Sequence, residues 1–216
     1  MPVEESRFDV PSRWGRPATY VHRRLAGGGG RLALILPGYG YTLEAPVLHY
    51  AARAALAAGC DVLGVEYGFQ ANRGAMPREE VPLAVAEIMG ALDSFLADHA
   101  YAGLIPIAKS IGTLVAVQLA ASASLPPPAS AVFLTPLRAT IPYMRQALRM
   151  TVVVGDRDNL FGPEDIAQIA GLPNIDLHVM AGADHVLEVA DDVDGSLAIL
   201  GATAAACRAA CTGSRP

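Results

Sequence analysis

The chain has 216 residues, 52% of them apolar and only 17% charged, and its sixteen basic and twenty-one acidic residues leave a net charge of −5. So much apolar side chain excludes a disordered polypeptide, and the length suits one domain over residues 1–216 rather than two. With no basic block anywhere, the balance argues against a nucleic-acid or anionic-membrane partner.

Taken in order, the chain opens on the acidic Met1-Pro-Val-Glu-Glu5 with no apolar core behind it. No signal peptide is expected, and the protein is expected in the cytoplasm. Residues 1–30 read as an N-terminal arm, in which Tyr20 to Leu25 alternates and carries charge, as an outer antiparallel strand does. Gly27 to Gly30 is a connection. Arg31 to Leu36 is a strand, Ala45 to Ala58 a helix stopped at Gly59, and Asp61 to Val65 the next strand. Glu79 to His99 is a long helix: Val81, Val85, Ile88, Leu92 and Phe95 recur at helical spacing, while Glu80, Glu87, Ser94 and Asp98 take the other face. Gly103 to Ala108 is a strand and Ile111 to Ser122 a helix, followed by the connecting Pro126-Pro127-Pro128. The second half continues with strands at Ala131 to Thr135, Met150 to Val154 and Ile175 to Met180. Its helices are Arg138 to Leu148 (after Pro142), Pro163 to Ala170 with proline in the first turn, and Leu187 to Ala210.

Near-continuous apolar strands alternating with helices predict a doubly wound α/β fold, a mostly parallel β-sheet flanked by helices on both faces. The apolar runs, such as Leu32 to Leu36, are short, and none approaches the roughly 18 to 20 residues of a membrane span, so a soluble protein is expected. Cys60, Cys207 and Cys211 are too few for a disulfide framework and lack a partner at metal-ligand spacing. They read as buried thiols in a reducing compartment.

Doubly wound sheets bind ligands at the carboxyl ends of their strands. Three such ends carry reactive side chains. Ile107-Ala-Lys-Ser110-Ile-Gly-Thr113 runs a strand straight into a helix with serine at the bend. Taken alone, that serine reads more readily as a helix cap than as a nucleophile. Val152-Val-Val-Gly-Asp-Arg-Asp158 ends a strand in a glycine turn followed by two acids, and Met180-Ala-Gly-Ala-Asp-His185 ends one in a loop bearing histidine. Serine needs a base to take its proton, and the imidazole needs a carboxylate to fix its tautomer. The order Ser, Asp, His on three separate strand ends supplies all three. Asp156 and Asp158 both qualify as that carboxylate. His178 lies inside a strand, and His22, His49 and His99 lack a strand-end position.

These segments resemble the α/β-hydrolase superfamily from about Arg31 to the last helix. Ala108-Lys-Ser110-Ile-Gly112 is similar to the nucleophile elbow, Gly155-Asp-Arg-Asp158 to the acid turn, and Gly182-Ala-Asp-His185 to the histidine loop. Leu34-Ile-Leu-Pro-Gly38-Tyr-Gly40 resembles the segment that supplies one oxyanion donor, with Pro37 and Ala108 standing where the family has His and Gly. The resemblance implies Ser110 as nucleophile, His185 as base and Asp158 as its orienting acid, with no cofactor and no metal. It implies an oxyanion hole made by the backbone N–H groups of Tyr39 and Ile111. Gly38 and Gly40 are expected to let the backbone bend close to the substrate. Candidate pocket residues are Gly38, Gly40, Tyr41, Phe69 and Tyr143, with Glu44 and Tyr67 to Gln70 on the same rim. Lys109 is expected to point away from the nucleophile, as a structural or surface residue. The interval from Thr135 to Arg149, where larger members insert a cap, is too short for a separate lid, so no large cap domain is expected.

The expected activity is hydrolysis of a small carboxylic ester or thioester through an acyl-enzyme. A non-catalytic small-molecule receptor and a lyase on the same fold stay open. A nucleotide site is disfavoured, since Leu43 occupies the third glycine position of Gly-x-Gly-x-x-Gly and Lys109-Ser110 lacks a glycine-rich phosphate loop before it. The expected partner is a small acyl substrate, and monomer or homodimer is left open.

Overall fold

The computed structural model describes residues 2–122, 125, 128, 130–146 and 149–213. In chain order the elements are β1 (Val3–Val10), β2 (Ala18–Leu25), β3 (Arg31–Leu36), α1 (Pro46–Ala57), β4 (Asp61–Gly64), α2 (Gly68–Ala71), α3 (Val81–Asp98) and β5 (Gly103–Lys109). They continue as α4 (Ile111–Ala120), β6 (Ala131–Leu134), α5 (Ile141–Met144), β7 (Met150–Gly155), α6 (Pro163–Ile169), β8 (Ile175–Met180) and α7 (Val193–Thr212). Pro126 and Pro127, and residues 147–148 of the helix expected after Pro142, lie outside the described residues.

One eight-stranded sheet runs β1-β2-β4-β3-β5-β6-β7-β8. β4 through β8 are parallel, whereas β2 pairs antiparallel with β4 and β1 antiparallel with β2. Because strand side chains alternate, each buried strand feeds two cores. Leu32, Leu34 and Leu36 join the core under α3 and α4, while Ala33 and Ile35 join the one under α1 and α7. This is why the parallel strands read as unbroken aliphatic runs rather than as alternation.

The edges depart from the sequence reading. Tyr20 to Leu25 belongs to β2, but β1 lies outside it and was not expected. Most of β1 is exposed, so no apolar pattern announces it. What holds it is pairing: Arg23 reaches across to Glu5 at 2.9 Å, and the Phe8 and Tyr20 rings lie 5.7 Å apart. At the opposite edge β8 has no fully buried residue. The helix expected from Leu187 starts only at Val193, because Leu187 and Asp191 take positive φ and Asp192 caps the helix by accepting the Gly195 N–H at 2.8 Å. Arg138 to Met144 forms a 3-10 turn followed by the single turn of α5, with no lid among the described residues between β6 and β7.

α7 corrects the reading that no stretch is long and apolar enough to cross a bilayer: by length and composition it qualifies. In this fold it packs on α1, burying Thr203, Ala206, Cys207, Ala210 and Cys211. All three cysteines are buried and free of disulfides.

Candidate active site

Each reactive side chain stands where its backbone has little freedom. Ser110 links β5 to α4 at φ 53 and ψ −119, a left-handed bend that projects its hydroxyl from the turn. The bend closes because Gly112 has no side chain: a Cβ there would run into the carbonyl oxygens of Leu36 and Pro37 at the end of β3. Ala108, where the related motif has glycine, is accommodated in the core without exposure. Glycine has a second obligatory place at Gly155, where a Cβ would overlap the Ala183 carbonyl. That contact presses the acid turn against the histidine loop. The Arg157 N–H donates to Ala183 O at 2.9 Å and the Asp156 N–H to Met180 O at 3.1 Å.

The result brings Ser110, His185 and Asp158 together. His185 Nε2 lies 2.8 Å from Ser110 Oγ, and Nδ1 lies 2.9 and 2.8 Å from the two Asp158 carboxylate oxygens. A carboxylate only accepts, so the network assigns the hydrogen to Nδ1 and leaves Nε2 to accept from the serine hydroxyl. Asp158 Oδ1 also accepts the N–H groups of Leu160 and Phe161 at 2.8 and 3.2 Å, and its side chain is fully buried. Asp156 does not reach His185. It is exposed and accepts the Gly182 N–H at 2.8 Å, holding the histidine loop from outside.

The loop after β3 is clamped beside the serine. Tyr67 OH donates to Pro37 O at 3.1 Å, and Gln70 Nε2 donates to Gly38 O and Tyr39 O at 2.7 and 3.1 Å. The Gly38 N–H is spent on Tyr41 O at 3.1 Å, whereas the Tyr39 N–H has no acceptor among the described residues. Ile111 begins α4, so its N–H has no partner within the helix. The Ile111 N–H directly follows the serine in the chain, and the Tyr39 N–H follows Gly38 in the clamped loop. Gly38 is crowded, its Cβ direction lying 3.1 Å from the Tyr41 Cβ and 3.5 Å from the Ser110 Cβ. Gly40 is not: a side chain there would meet open space, and neither glycine has positive φ.

The expected rim residues divide. Phe69 is 1% exposed and lies behind Tyr39, its ring 5.1 Å away, so it supports the loop rather than lining a pocket. Tyr143 is half-buried and stacks on Phe133. Tyr41 is half-buried, its hydroxyl accepting the Val47 N–H at 3.0 Å, and burial raises its phenol. It borders a cavity of about 440 Å³ with Asp184, Leu187, Glu188 and Val189, which Ser110 does not line. Glu44 lies on a smaller cavity with Thr42 and Gln70. His178 is on edge strand β8, 3.2 Å from Asp176. Among the described residues no group of three His, Cys, Asp or Glu side chains is arranged to hold a metal ion.

Lys109, expected as a structural or surface residue pointing away from the serine, is the structural one of the two: only 1% of it is exposed. Its ammonium donates to Thr135 Oγ1 and to the His185 carbonyl, both at 2.7 Å, and sits 4.8 Å above the centre of the Tyr41 ring. Burial pushes its pKa down to about 8, against the opposing pull of the Asp158 and Asp184 carboxylates. One signal was available. Lys109 is the only lysine in the chain, every other basic residue being arginine.

No protein-family model matches the chain, and no curated protein matches it. Solved structures do. An α/β serine hydrolase homologue from Coxiella burnetii superposes with a TM-score of 0.71 at 15% identity, covering 93% of this chain and 96% of that one. An α/β serine hydrolase without a lid from Xanthomonas campestris gives 0.69 at 14% identity, over 96% and 95% of the two chains. A cold-adapted esterase from an Arctic intertidal metagenomic library gives 0.66 at 16% identity, over 96% and 94%. At such identities the likeness is one of fold.

Proposed function

The chain has the α/β-hydrolase fold without a large cap, and from that premise we propose that it is a serine hydrolase cleaving a small carboxylic ester or thioester. The observation that carries this reading is the unbroken hydrogen-bonded path from Ser110 Oγ through His185 to Asp158. In the proposed reaction Ser110 Oγ attacks the acyl carbonyl as His185 Nε2 takes its proton. The developing oxyanion accepts hydrogen bonds from the Tyr39 and Ile111 N–H groups, near the positive end of α4. Collapse expels the alcohol or thiol, which takes the proton back from His185. Water then repeats the sequence on the acyl-enzyme and frees the acid.

The short 135–149 connection supports a small acyl group, since little apolar wall rewards a longer one at about 0.8 kcal/mol per buried methylene. Catalytic efficiency on chromogenic esters and thioesters of graded length is expected to peak at roughly two to six carbons and to show no interfacial activation. A steady climb to about twelve carbons or beyond would reveal a tunnel and defeat the short-acyl reading. Fluorophosphonate labelling separates this function from a receptor on the same fold: the protein should label at Ser110, and a receptor should react poorly.

A further inference from the structure

We propose that Lys109 is a positioning residue for hydrolysis, whose ammonium holds the histidine loop and the oxyanion loop in register with the nucleophile. The proposal rests on the hydrolase reading above. Lys109 ties three parts of the site together. The backbone of Lys109 is the last residue of β5, directly before Ser110. Its Nζ bonds the backbone carbonyl of His185, the base itself, at 2.7 Å. Its charge faces the ring of Tyr41, whose backbone oxygen in turn accepts the Gly38 N–H next to the Tyr39 donor.

The third contact of Nζ explains why a lysine can be kept there. Thr135 is fully buried, stands at the end of β6 with φ 42, and offers Oγ1 to Nζ at 2.7 Å. β6 lies between β5 and β7 in the sheet, so this hydroxyl is presented in the cleft between nucleophile and acid turn. Among the described residues no carboxylate comes within ion-pairing distance of Nζ. Two oxygens and a ring face are what it has, with the Asp158 and Asp184 carboxylates beyond them. Asp184 is itself occupied by the Val186 and Glu188 N–H groups at 2.8 and 3.2 Å. The other titratable groups facing this corner are the His185 imidazole, the Tyr41 phenol raised by burial, and Glu188 near that phenol.

An ammonium makes stronger hydrogen bonds to carbonyl and hydroxyl oxygens than a neutral amine, and only the ammonium is attracted to the Tyr41 ring. Loss of the proton therefore loosens the histidine loop and the oxyanion loop together. Turnover is expected to fall on the alkaline side, as Lys109 loses its proton around pH 8.

Because the chain has a single lysine, protein grown on isotope-labelled lysine gives one Cε resonance, and its titration reads Lys109 directly, in the absence of substrate. That resonance is expected to titrate near pH 8, and kcat on a short ester is expected to decline with the same midpoint. Thr135→Val removes one acceptor from the charged form and should move both midpoints down together, by roughly half to one pH unit. Lys109→Met keeps the volume and loses the charge. It should lower kcat about thirty- to one-hundredfold, leave KM within about threefold and abolish the alkaline limb. A lysine resonance that titrates like an exposed one, or an alkaline limb that stays put in Thr135→Val or persists in folded Lys109→Met, overturns the proposal. If Lys109→Met does not fold, the wild-type and Thr135→Val midpoints decide alone. Absence of any ester turnover or Ser110 labelling would instead defeat the hydrolase reading, with the lysine titration still measurable.

Discussion

Two histidines in this protein are wired to buried carboxylates, at opposite ends of the same sheet. At the amino ends of the parallel strands, His22 Nε2 lies 3.1 Å from Tyr101 OH, which donates to Asp61 Oδ2 at 3.0 Å. Asp61 also accepts the N–H groups of Leu25 and Gly29 at 2.9 and 3.0 Å. At the carboxyl ends, His185 joins Asp158 directly and turns its other nitrogen to Ser110. The two networks use similar groups at similar distances. The first is closed, its imidazole 4% exposed and enclosed by Phe95 and His99 ring to ring. The second is open, its imidazole leading to a hydroxyl on a left-handed bend. A buried histidine–carboxylate chain is thus not in itself a catalytic device. What distinguishes the second is the serine on its positive-φ bend, with the Ile111 N–H at the start of α4 and the Tyr39 N–H in the loop after β3.

Mutations at matching positions sharpen this contrast. The largest effect is expected at Ser110: Ser110→Ala should lower kcat by about six orders of magnitude, as in hydrolases whose triad acts as a unit, with an unchanged thermal melt. Asp158→Asn leaves the geometry in place but favours the wrong imidazole tautomer, and should lower kcat about 10⁴-fold. Asp156→Asn, which retains an acceptor for Gly182, should stay within about tenfold. The reverse ranking would transfer the acid's role to Asp156.

The closed network should answer in stability instead. Asp61→Ala strands the buried Leu25 N–H, the half-buried Gly29 N–H and the Tyr101 hydroxyl, and is expected to destabilise by about 3 kcal/mol. For a chain of this size that is a Tm lower by roughly 6 to 12 °C. Turnover per folded molecule should not change. A loss of kcat there without loss of Tm would show that the two ends of the sheet communicate.

The smallest effect concerns pH. Burial, reinforced by His99, holds His22 below the ordinary histidine value of 6.5. Between those two values the unfolded chain binds more protons than the folded one, so stability falls as pH drops below about 6.5 and levels off under the folded value. Above 6.5 His22 makes no pH-dependent contribution. Calorimetry of His22→Phe should show a shallower decline of Tm on the acid side than the parent protein.

Much of this was legible along the chain. β3, β5 and β7 are aliphatic runs punctuated by glycine or serine because a strand buried on both faces has no polar position to spend. Ser110, Asp158 and His185 were identifiable because each follows such a strand. The tight bends at Gly112 and Gly155 are also local matters, since only glycine fits where backbone meets backbone. The sequence by itself therefore determined the layered α/β plan and the serine and histidine of the relay, with the acid narrowed to Asp156 or Asp158. Tertiary structure alone decided the rest. β1 carries no apolar pattern, and its place depends on the register it finds on β2. Asp158 was preferred to Asp156 from the motif, but only the docking of Gly155 on Ala183 shows which carboxylate meets the imidazole. Lys109 was visible as a residue and opaque in role, because its partners Thr135, Tyr41 and His185 are brought near by the order of strands in the sheet. Periodicity and turn chemistry act over a few residues, whereas such convergence depends on which strand ends become neighbours, and that is settled when the sheet assembles.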